Sequence, residues 1–283
     1  MRSFGTGYET DMPRVFDCFP FFNELDVLEI RLAELDPLVD HFVLVESTRT
    51  FTAKPKPLYY ADNQKRFERY AHKIIHIVVD DVPLDAPSHW TREAHQRDAI
   101  MRGLKDAGPD DRIIISDCDE IPKPDMLRRA LRFHGLSRRI VAFWCDNYFY
   151  RLNLRNDAHD HRLGPRLLTM SNVESPTFIR EIPLRFSKRG YLRPLAELVA
   201  CYRVARRLRA FIWPTIIWHG AWHFTFMGDV SAVNLKVSSY SHVDDHKELT
   251  EIEYNDHLST LTKCPLSDLP ETIQREKFAR LIA

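Results

Sequence analysis

Short apolar runs alternate with longer helical stretches along the first half of this 283-residue sequence. The runs are rich in β-branched and aromatic residues, which favours strand over helix. They span residues 14–21, 41–45, 74–79 and 112–116. The segments between them carry apolar residues at helical spacing, as in NELDVLEIRLAELDP (residues 23–37) and WTREAHQRDAIMRGLKDAGPDD (residues 90–111). This alternation predicts an α/β fold with a mostly parallel mixed sheet and helices on both faces.

Local signals refine the helix boundaries. Asn23 is a suitable N-cap for the first helix, and the second is expected to end at Gly108-Pro109. In the less regular second half, residues 140–150 (IVAFWCDNYFY) read as an aromatic-rich strand, and the tail from Lys247 as one or two polar helices. No segment resembles a linker, so we expect one domain over residues 1–283, made of two halves, 14–150 and 151–283.

Composition narrows the functional classes. Forty basic and forty acidic residues cancel, which does not suggest a nucleic-acid partner. Five scattered cysteines without CxxC spacing read as reduced thiols rather than a disulfide framework or zinc site. Neither an apolar run of transmembrane length nor a signal-peptide pattern is present, so a cytoplasmic protein is expected.

Three acids follow the fourth predicted strand in the stretch IIISDCDEIPKP. Asp117, Asp119 and Glu120 would repel one another unless a positive charge lies among them. Alternate carboxylates at the end of a strand can converge on Mg²⁺ or Mn²⁺, which prefer oxygen ligands and leave positions open for a diphosphate. The alternative is an ordinary turn that starts a helix, with Pro122 and Pro124 near its N-terminus. Ligands of parallel α/β sheets gather at this edge, which favours the metal.

Several ordered stretches resemble a known family. They are FDCFPFFNELDVLEIRLAEL, FVLVESTRTFTAKPKPLYY, WTREAHQRDAI, IIISDCDEIP and AWHFTFMG, dense over residues 14–125 and thinner over 219–242. Together they are similar to glycosyltransferase family 17, the family of the β-1,4-mannosyl-glycoprotein 4-β-N-acetylglucosaminyltransferases. The resemblance implies a GT-A type nucleotide-sugar fold, an inverting mechanism, a UDP-sugar donor and Mn²⁺ or Mg²⁺ held by a DxD motif, Asp117 and Asp119. It also implies that residues 14–150 form the nucleotide-sugar-binding half and residues 151–283 the acceptor-side half.

Further donor-binding candidates lie at the ends of predicted strands and on the second helix. Glu46 and Ser47 end the second strand, where a base or ribose would lie, and Asn23 and Glu24 follow the first; each could instead be an acid or amide facing water. Arg92, Gln96 and Arg97 could brace the DxD carboxylates or the donor phosphates. The alternative for Arg97 is an i,i+4 pair with Glu93.

The second half supplies the remaining candidates. His223, in WHFTFMG, is favoured over His242 as a metal ligand because its surroundings are drier and less acidic; the alternative is an interior histidine. Lys236 and His242 are expected to contact the donor phosphate or sugar. An inverting transfer also needs a general base. The candidates are Asp146, Asp157, Asp160, Glu181 and Asp229, of which Asp146 is preferred.

The leading hypothesis is therefore a metal-dependent inverting glycosyltransferase that moves a sugar, N-acetylglucosamine in the first instance, from a UDP-sugar to a glycan or lipid-linked acceptor. A Mg²⁺-dependent phosphohydrolase or nucleotidyltransferase and a non-catalytic sugar-nucleotide-binding protein are the alternatives. The basic stretch 185–209 reads either as a surface helix or as a peripheral membrane contact that would suit a lipid-linked acceptor.

Overall fold

The computed structural model describes residues 12–157, 163–182, 199, 202, 204–206, 212–239 and 248–283. Its strands are β1 (Val15–Phe21), β2 (His41–Ser47), β3 (Ile74–Val79), β4 (Arg112–Ile115), β5 (Glu120–Pro122), β6 (Arg139–Phe149), β7 (Leu154–Arg155), β8 (Leu163–Thr169), β9 (Trp213–Thr225) and β10 (Thr262–Lys263).

The α-helices that lie within the described residues are α1 (Leu25–Leu35), α2 (Tyr59–Asp62), α3 (His89–Asp98), α4 (Pro124–Leu131), α5 (Pro176–Glu181), α6 (Val230–Val237) and α7 (Glu251–Ser259). Short 3₁₀ helices cover Gln64–Tyr70, Ala99–Gly103, Leu136–Arg138, Met170–Asn172, Leu266–Asp268, Glu271–Gln274 and Glu276–Leu281.

The strands form one mixed sheet in the order β10-β7-β6-β8-β4-β1-β2-β3. Strands β4, β1, β2 and β3 are parallel neighbours, as the alternation in the sequence predicts. Strand β8 then runs antiparallel to both β4 and β6. Strand β9 leaves this path, pairing parallel to β6 and antiparallel to the short β5. The second half therefore contributes most of the antiparallel pairs, and β9 returns to the acidic turn.

Helices cover both faces of the sheet. Leu28 and Leu32 of α1 pack with Leu44 of β2 in one buried cluster. Ile100, in the 3₁₀ turn after α3, packs with Val43 of β2 in another. Because successive strand residues face opposite sides, these neighbours on β2 serve different layers. The predicted α/β class, with a mixed sheet between helices, is confirmed.

Two predicted helix boundaries are wrong. The N-cap of α1 is Glu24 rather than Asn23, and the Glu24 carboxylate accepts the backbone N–H groups of Phe22 and Asn23. Helix α3 ends at Asp98, well before Gly108, and continues only as a 3₁₀ turn. That turn packs closely on β2: a Cβ on Gly103 would lie 2.5 Å from a methyl carbon of Val43. The absence of a side chain at Gly103 allows this close approach.

Candidate functional site

A cavity of about 480 Å³ opens at the carboxyl ends of β1 and β4. Its walls come from the segment after β1, the loop after β2, helix α3, the acidic turn after β4, strands β6 and β9, and helix α6. This volume lies within the roughly 300–1,000 Å³ of small-molecule sites. The position matches the sheet edge where the sequence places the ligand.

Arg31 holds the acidic turn in place. Its side chain is fully buried in α1 and donates to the carbonyl oxygens of Asp117 (3.0 Å), Cys118 (3.1 Å) and Glu120 (2.8 Å). The same guanidinium pairs with both carboxylate oxygens of buried Asp17, at 2.7 and 2.5 Å. Burial alone would lower the pKa of Arg31, but Asp17 outweighs it and raises that pKa. The arginine fixes the turn backbone so that its side chains can project into the cavity.

Sequence reasoning missed Asp17 and Arg31, although both leave a trace in the sequence. Asp17 interrupts the apolar run VFDCFPF, and Arg31 lies among the apolar residues of LDVLEIRLAEL. A buried charge needs a partner of opposite sign. Two such interruptions in consecutive elements are a detectable signal for a buried ion pair.

Asp117 lies between two arginines. Arg97 of α3 donates to its Oδ1 at 3.2 Å, and Arg180 of α5 donates to its Oδ2 at 3.1 Å. Arg97 also pairs with Glu93 at 2.5 Å. Both interpretations of Arg97, the i,i+4 pair and the brace on the DxD motif, therefore occur together. The two guanidinium groups neutralise Asp117 and fix its orientation at the cavity wall.

Arg180 also engages the third acid of the turn. It forms a two-pronged pair with buried Glu120, at 2.8 and 2.9 Å. Burial opposes the charged form of Arg180, but Glu120 and Asp117 outweigh it and raise its pKa. Glu120 thus faces a protein cation rather than the cavity. Sequence reasoning missed Arg180, because the contact joins α5 to a turn 60 residues earlier.

Asp119 points into the cavity toward Lys236 of α6. The Lys236 ammonium lies 2.7 Å from Asp119 Oδ2 and 2.9 Å from Glu24 Oε1. Burial alone would lower the pKa of Lys236, but the two carboxylates hold it well above its ordinary value. Burial of Glu24 is likewise outweighed by the ammonium, which lowers the pKa of that carboxyl. The structure therefore brings together three residues predicted for donor or metal binding.

His223 faces the other oxygen of Asp119. Strand β9 pairs with β5 so that His223 lies opposite Glu120, and its Nε2 is 3.6 Å from Asp119 Oδ1. Its Nδ1 lies 2.9 Å from Oδ1 of Asn147 on β6. Both His223 and Asn147 line the cavity. The imidazole is thus held between an amide on one side and a carboxylate on the other.

The Asp119–His223 pair fits a hard divalent cation. A carboxylate oxygen and an imidazole nitrogen 3.6 Å apart can both reach one ion at about 2.1 Å. Within the described ranges no cluster of three His, Cys, Asp or Glu side chains suits a metal. Two protein ligands would leave octahedral positions for phosphate oxygens and water, which is how Mg²⁺ is usually held. Asp117, bracketed by arginines, would contribute mainly charge.

Glu46 and Ser47 do not line the cavity. The buried Glu46 carboxylate accepts the backbone N–H of Tyr60 (2.9 Å) and hydrogen-bonds with the His76 ring (3.1 Å), so it anchors the start of α2. Ser47 Oγ accepts the N–H of Arg49 at 3.1 Å. The alternative that Glu46 is an acid facing water is wrong, since this residue is fully buried. Its carboxylate accepts hydrogen bonds from backbone N–H groups at the start of α2.

The loop after β2 takes the place expected for those two residues. Its lining side chains are Arg49, Thr50, Phe51 and Lys56. Arg92 does not line the cavity but donates to the Phe51 carbonyl at 2.7 Å, which fixes this loop. Gln96 does line it, and its amide donates to the Val45 carbonyl of β2 at 3.1 Å and to the Phe21 carbonyl of β1 at 3.5 Å. It thereby joins the ends of these two strands. Arg92 and Gln96 therefore shape the site.

Asp146 and Asn23 are not among the cavity-lining residues. Successive residues of β6 face opposite sides of the sheet, and Asp146 lines a second cavity, where it contacts Lys123 (2.7 Å) and His219 (2.5 Å). It is therefore not placed to act as a base in the first cavity. Asn23 contacts Glu24 through its backbone N–H, which donates to the Glu24 carboxylate. His242 and nearly all of residues 185–209 lie outside the described residues.

Comparison with known proteins identifies the family. The sequence profile of glycosyltransferase family 17 matches residues 3–169, more than half of the chain. The chain belongs to this family. It is 33% identical over 120 residues to the β-1,4-mannosyl-glycoprotein 4-β-N-acetylglucosaminyltransferases of Rattus norvegicus and Homo sapiens. That match covers 40% of this chain but only 22% of each relative.

Solved structures show only distant similarity. The mannosyltransferase PcManGT of Pyrobaculum calidifontis, in complex with GDP-Man and Mn²⁺, has a TM-score of 0.43 and 11% identity, over 88% of this chain and 69% of that one. Glucosyl-3-phosphoglycerate synthase of M. tuberculosis has a TM-score of 0.36 and 14% identity, over 74% and 72%. The family assignment follows from the sequence match alone.

In the part of the chain described, no helix is long and apolar enough to cross a bilayer.

Proposed function

We propose that the chain is a metal-dependent, inverting glycosyltransferase of GT-A type. It would transfer a sugar from a UDP-sugar to a glycan acceptor, and we propose N-acetylglucosamine as that sugar. The observation that carries this proposal is the pair formed by Asp119 and His223, which face each other across 3.6 Å in the cavity at the sheet edge. The family and its named relatives support the reaction class.

Each side chain has a role in this proposal. Asp119 and His223 would hold Mn²⁺ or Mg²⁺, which neutralises charge that develops on the departing diphosphate. Lys236 lies within 2.7 Å of Asp119 and would share its charge with the phosphate oxygens. Arg97 keeps Asp117 turned to the cavity wall. The loop after β2 would enclose the nucleoside.

The charge balance of the cavity favours the binding of a metal ion and a diphosphate together. Four carboxylates line it: Glu24, Glu93, Asp117 and Asp119. Four cationic side chains line it as well: Arg49, Lys56, Arg97 and Lys236. A diphosphate alone would add two or more negative charges to a balanced site, and a divalent cation alone would add two positive ones. The pair of them adds little net charge, so each should assist the binding of the other.

We propose that the acceptor binds on the side formed by residues 151–283. The charge and length of the basic stretch 185–209 suit either a glycan or a lipid-linked sugar as acceptor. The base that activates its hydroxyl must reach the first cavity. Asp146 faces away from that cavity, so we assign the base to the acceptor-side segments.

UDP and Mn²⁺ together are expected to raise the melting temperature, whereas either alone has a much smaller effect. At a ligand concentration of about 100 Kd, the stabilisation is about 2.7 kcal/mol. For a chain of this size that corresponds to roughly 5 °C. The measurement is a thermal-shift titration of UDP with Mn²⁺, and with EDTA in its place. GDP with Mn²⁺ is the matched control, and it tests whether the site prefers uracil over guanine.

Equal stabilisation by UDP in EDTA would contradict the metal-bridged donor. Absence of stabilisation by any nucleoside diphosphate with Mn²⁺ would contradict the donor site itself. A turnover assay with UDP-N-acetylglucosamine and Mn²⁺ then separates the alternatives. Release of UDP that depends on an added sugar acceptor supports transfer, whereas release at the same rate without acceptor supports a hydrolase.

A further inference from the structure

We propose that Asn147 is a positioning residue that selects the tautomer of His223, an inference that rests on the proposed function. The Asn147 Oδ1 atom lies 2.9 Å from His223 Nδ1. An amide oxygen can only accept a hydrogen bond, so Nδ1 carries the proton. In a neutral imidazole the other nitrogen, Nε2, is then left with its lone pair free. That lone pair is what a metal ion needs.

The carboxylate on the opposite side makes this selection necessary. Nε2 of His223 lies 3.6 Å from Asp119 Oδ1, and a carboxylate attracts an N–H. Without Asn147, the neutral ring would favour the tautomer with the proton on Nε2, directed at Asp119. That proton would block the nitrogen as a ligand. Asn147 therefore opposes the preference that Asp119 imposes.

The choice of an amide at position 147 also has a physical reason. Asn147 meets Nδ1 of His223 through its carbonyl oxygen, which accepts, whereas the NH2 group of an amide only donates. An aliphatic side chain would offer neither. Outer partners of metal-bound histidines generally act through such a bond, and their loss costs about 10–100-fold in metal affinity.

Burial and strand register keep the contact in place. Asn147 is 4% exposed, and the His223 side chain is 12% exposed. In a site with little water, hydrogen bonds of this kind are stronger than at the surface. Asn147 and His223 are direct partners in the parallel β6–β9 pairing. The backbone carbonyl of Asn147 also accepts the N–H of Asn156, at 2.9 Å.

The test is an NMR measurement on metal-free protein, which reads the tautomer without any turnover. In ¹⁵N-histidine-labelled wild type at pH 8, two-bond ¹⁵N–¹H correlations should show His223 with its proton on Nδ1. The signal is assigned by its loss in His223→Gln. In Asn147→Leu the proton should move mainly to Nε2, and the Kd for Mn²⁺ should rise about 10–100-fold.

Asn147→Asp is the conservative variant, because it keeps an acceptor oxygen in the same place. It should retain the Nδ1 proton and bind Mn²⁺ within about threefold of wild type, a much smaller loss than the range for outer partners. Asn63→Leu is the control, since the Asn63 amide donates to the Tyr59 carbonyl and should leave the His223 signal unchanged. If Asn147→Leu does not fold, the wild-type tautomer and Asn147→Asp still decide the matter.

The outcomes separate this inference from the proposed function. A proton on Nε2 of His223 in the wild type would overturn the role of Asn147, whatever the metal does. A folded Asn147→Asp with the same loss of Mn²⁺ affinity as Asn147→Leu would overturn it as well. The expected tautomer in a wild-type protein that binds no Mn²⁺ would leave the positioning intact and contradict the metal site.

Discussion

Asp119→Asn is expected to lower Mn²⁺-dependent sugar transfer by more than about 100-fold, beyond the range seen for outer partners of a metal site. The amide oxygen is a weaker ligand than a carboxylate, and the lost charge weakens attraction for the cation. The fold should survive, because Lys236 keeps its ion pair with Glu24 at 2.9 Å. We expect a loss of stability of about 1.5–3 kcal/mol, as for one hydrogen bond to a charged group. Transfer from a UDP-sugar and the melting temperature are measured together.

Asp125→Asn is the matched control for this variant. Asp125 lies six residues further on, its side chain is 89% exposed, and its partner is Arg128 on the same helix. Its substitution should change transfer by less than about twofold, since surface pairs of this kind contribute little. Transfer by Asp119→Asn at the wild-type rate would remove Asp119 from the metal site. A folded Asp125→Asn with the same defect would show that the effect is a general one on charge.

Arg31→Met is expected to destabilise the fold strongly, with a loss of about 3–5 kcal/mol in the free energy of unfolding. It leaves Asp17, which is fully buried, with a negative charge and no partner. It also removes the donors to three carbonyl groups of the acidic turn. At about 2 °C per kcal/mol for a chain of this size, the melting temperature should fall by roughly 6–10 °C. Chemical denaturation gives the free energy directly.

A second substitution distinguishes the buried charge from the turn. In Arg31→Met with Asp17→Leu, both charges are gone, and much of the lost stability should return because apolar groups replace the pair. Metal-dependent UDP binding should stay weak, since the carbonyl groups of the turn still lack their donors. Arg129→Met, on the exposed face of α4, is the control for loss of an arginine. A double variant with normal UDP binding would argue against any part for Arg31 in shaping the turn.

Much of the fold could be predicted because its signals are local. The β-branched runs correctly place β1 to β4, and the apolar spacing correctly places α1. The extent of α3 could not be read in this way, since the Gly108-Pro109 stop signal lies well beyond the observed end at Asp98. The antiparallel strands of the second half also depend on contacts with distant segments. Local propensity gives no account of those contacts.

The residues of the site also fall into two groups: those that a local sequence signal reveals and those that only contacts in space reveal. The acidic turn is visible because three charges follow a buried strand, and Lys236 and His223 are visible through the family motif. Arg31, Arg180 and Asn147 act from elements far away in the sequence, and only their positions in space show it. Glu46 illustrates the opposite case: its place at a strand end suggested a ligand contact, but Tyr60 and Ala61 use its carboxylate.

The pairing of β5 with β9 has a consequence for how the chain folds. It joins Glu120 to His223 across roughly a hundred residues, and Phe224 N–H donates to the Asp119 carbonyl at 2.9 Å. Contacts between distant segments form slowly, because the intervening chain must first be closed into a loop. A shift of β9 by one residue would place an aromatic neighbour, Trp222 or Phe224, where His223 belongs. Metal-dependent donor binding would therefore appear only in molecules whose last long strand has arrived in the correct alignment, and it would report on the completion of folding.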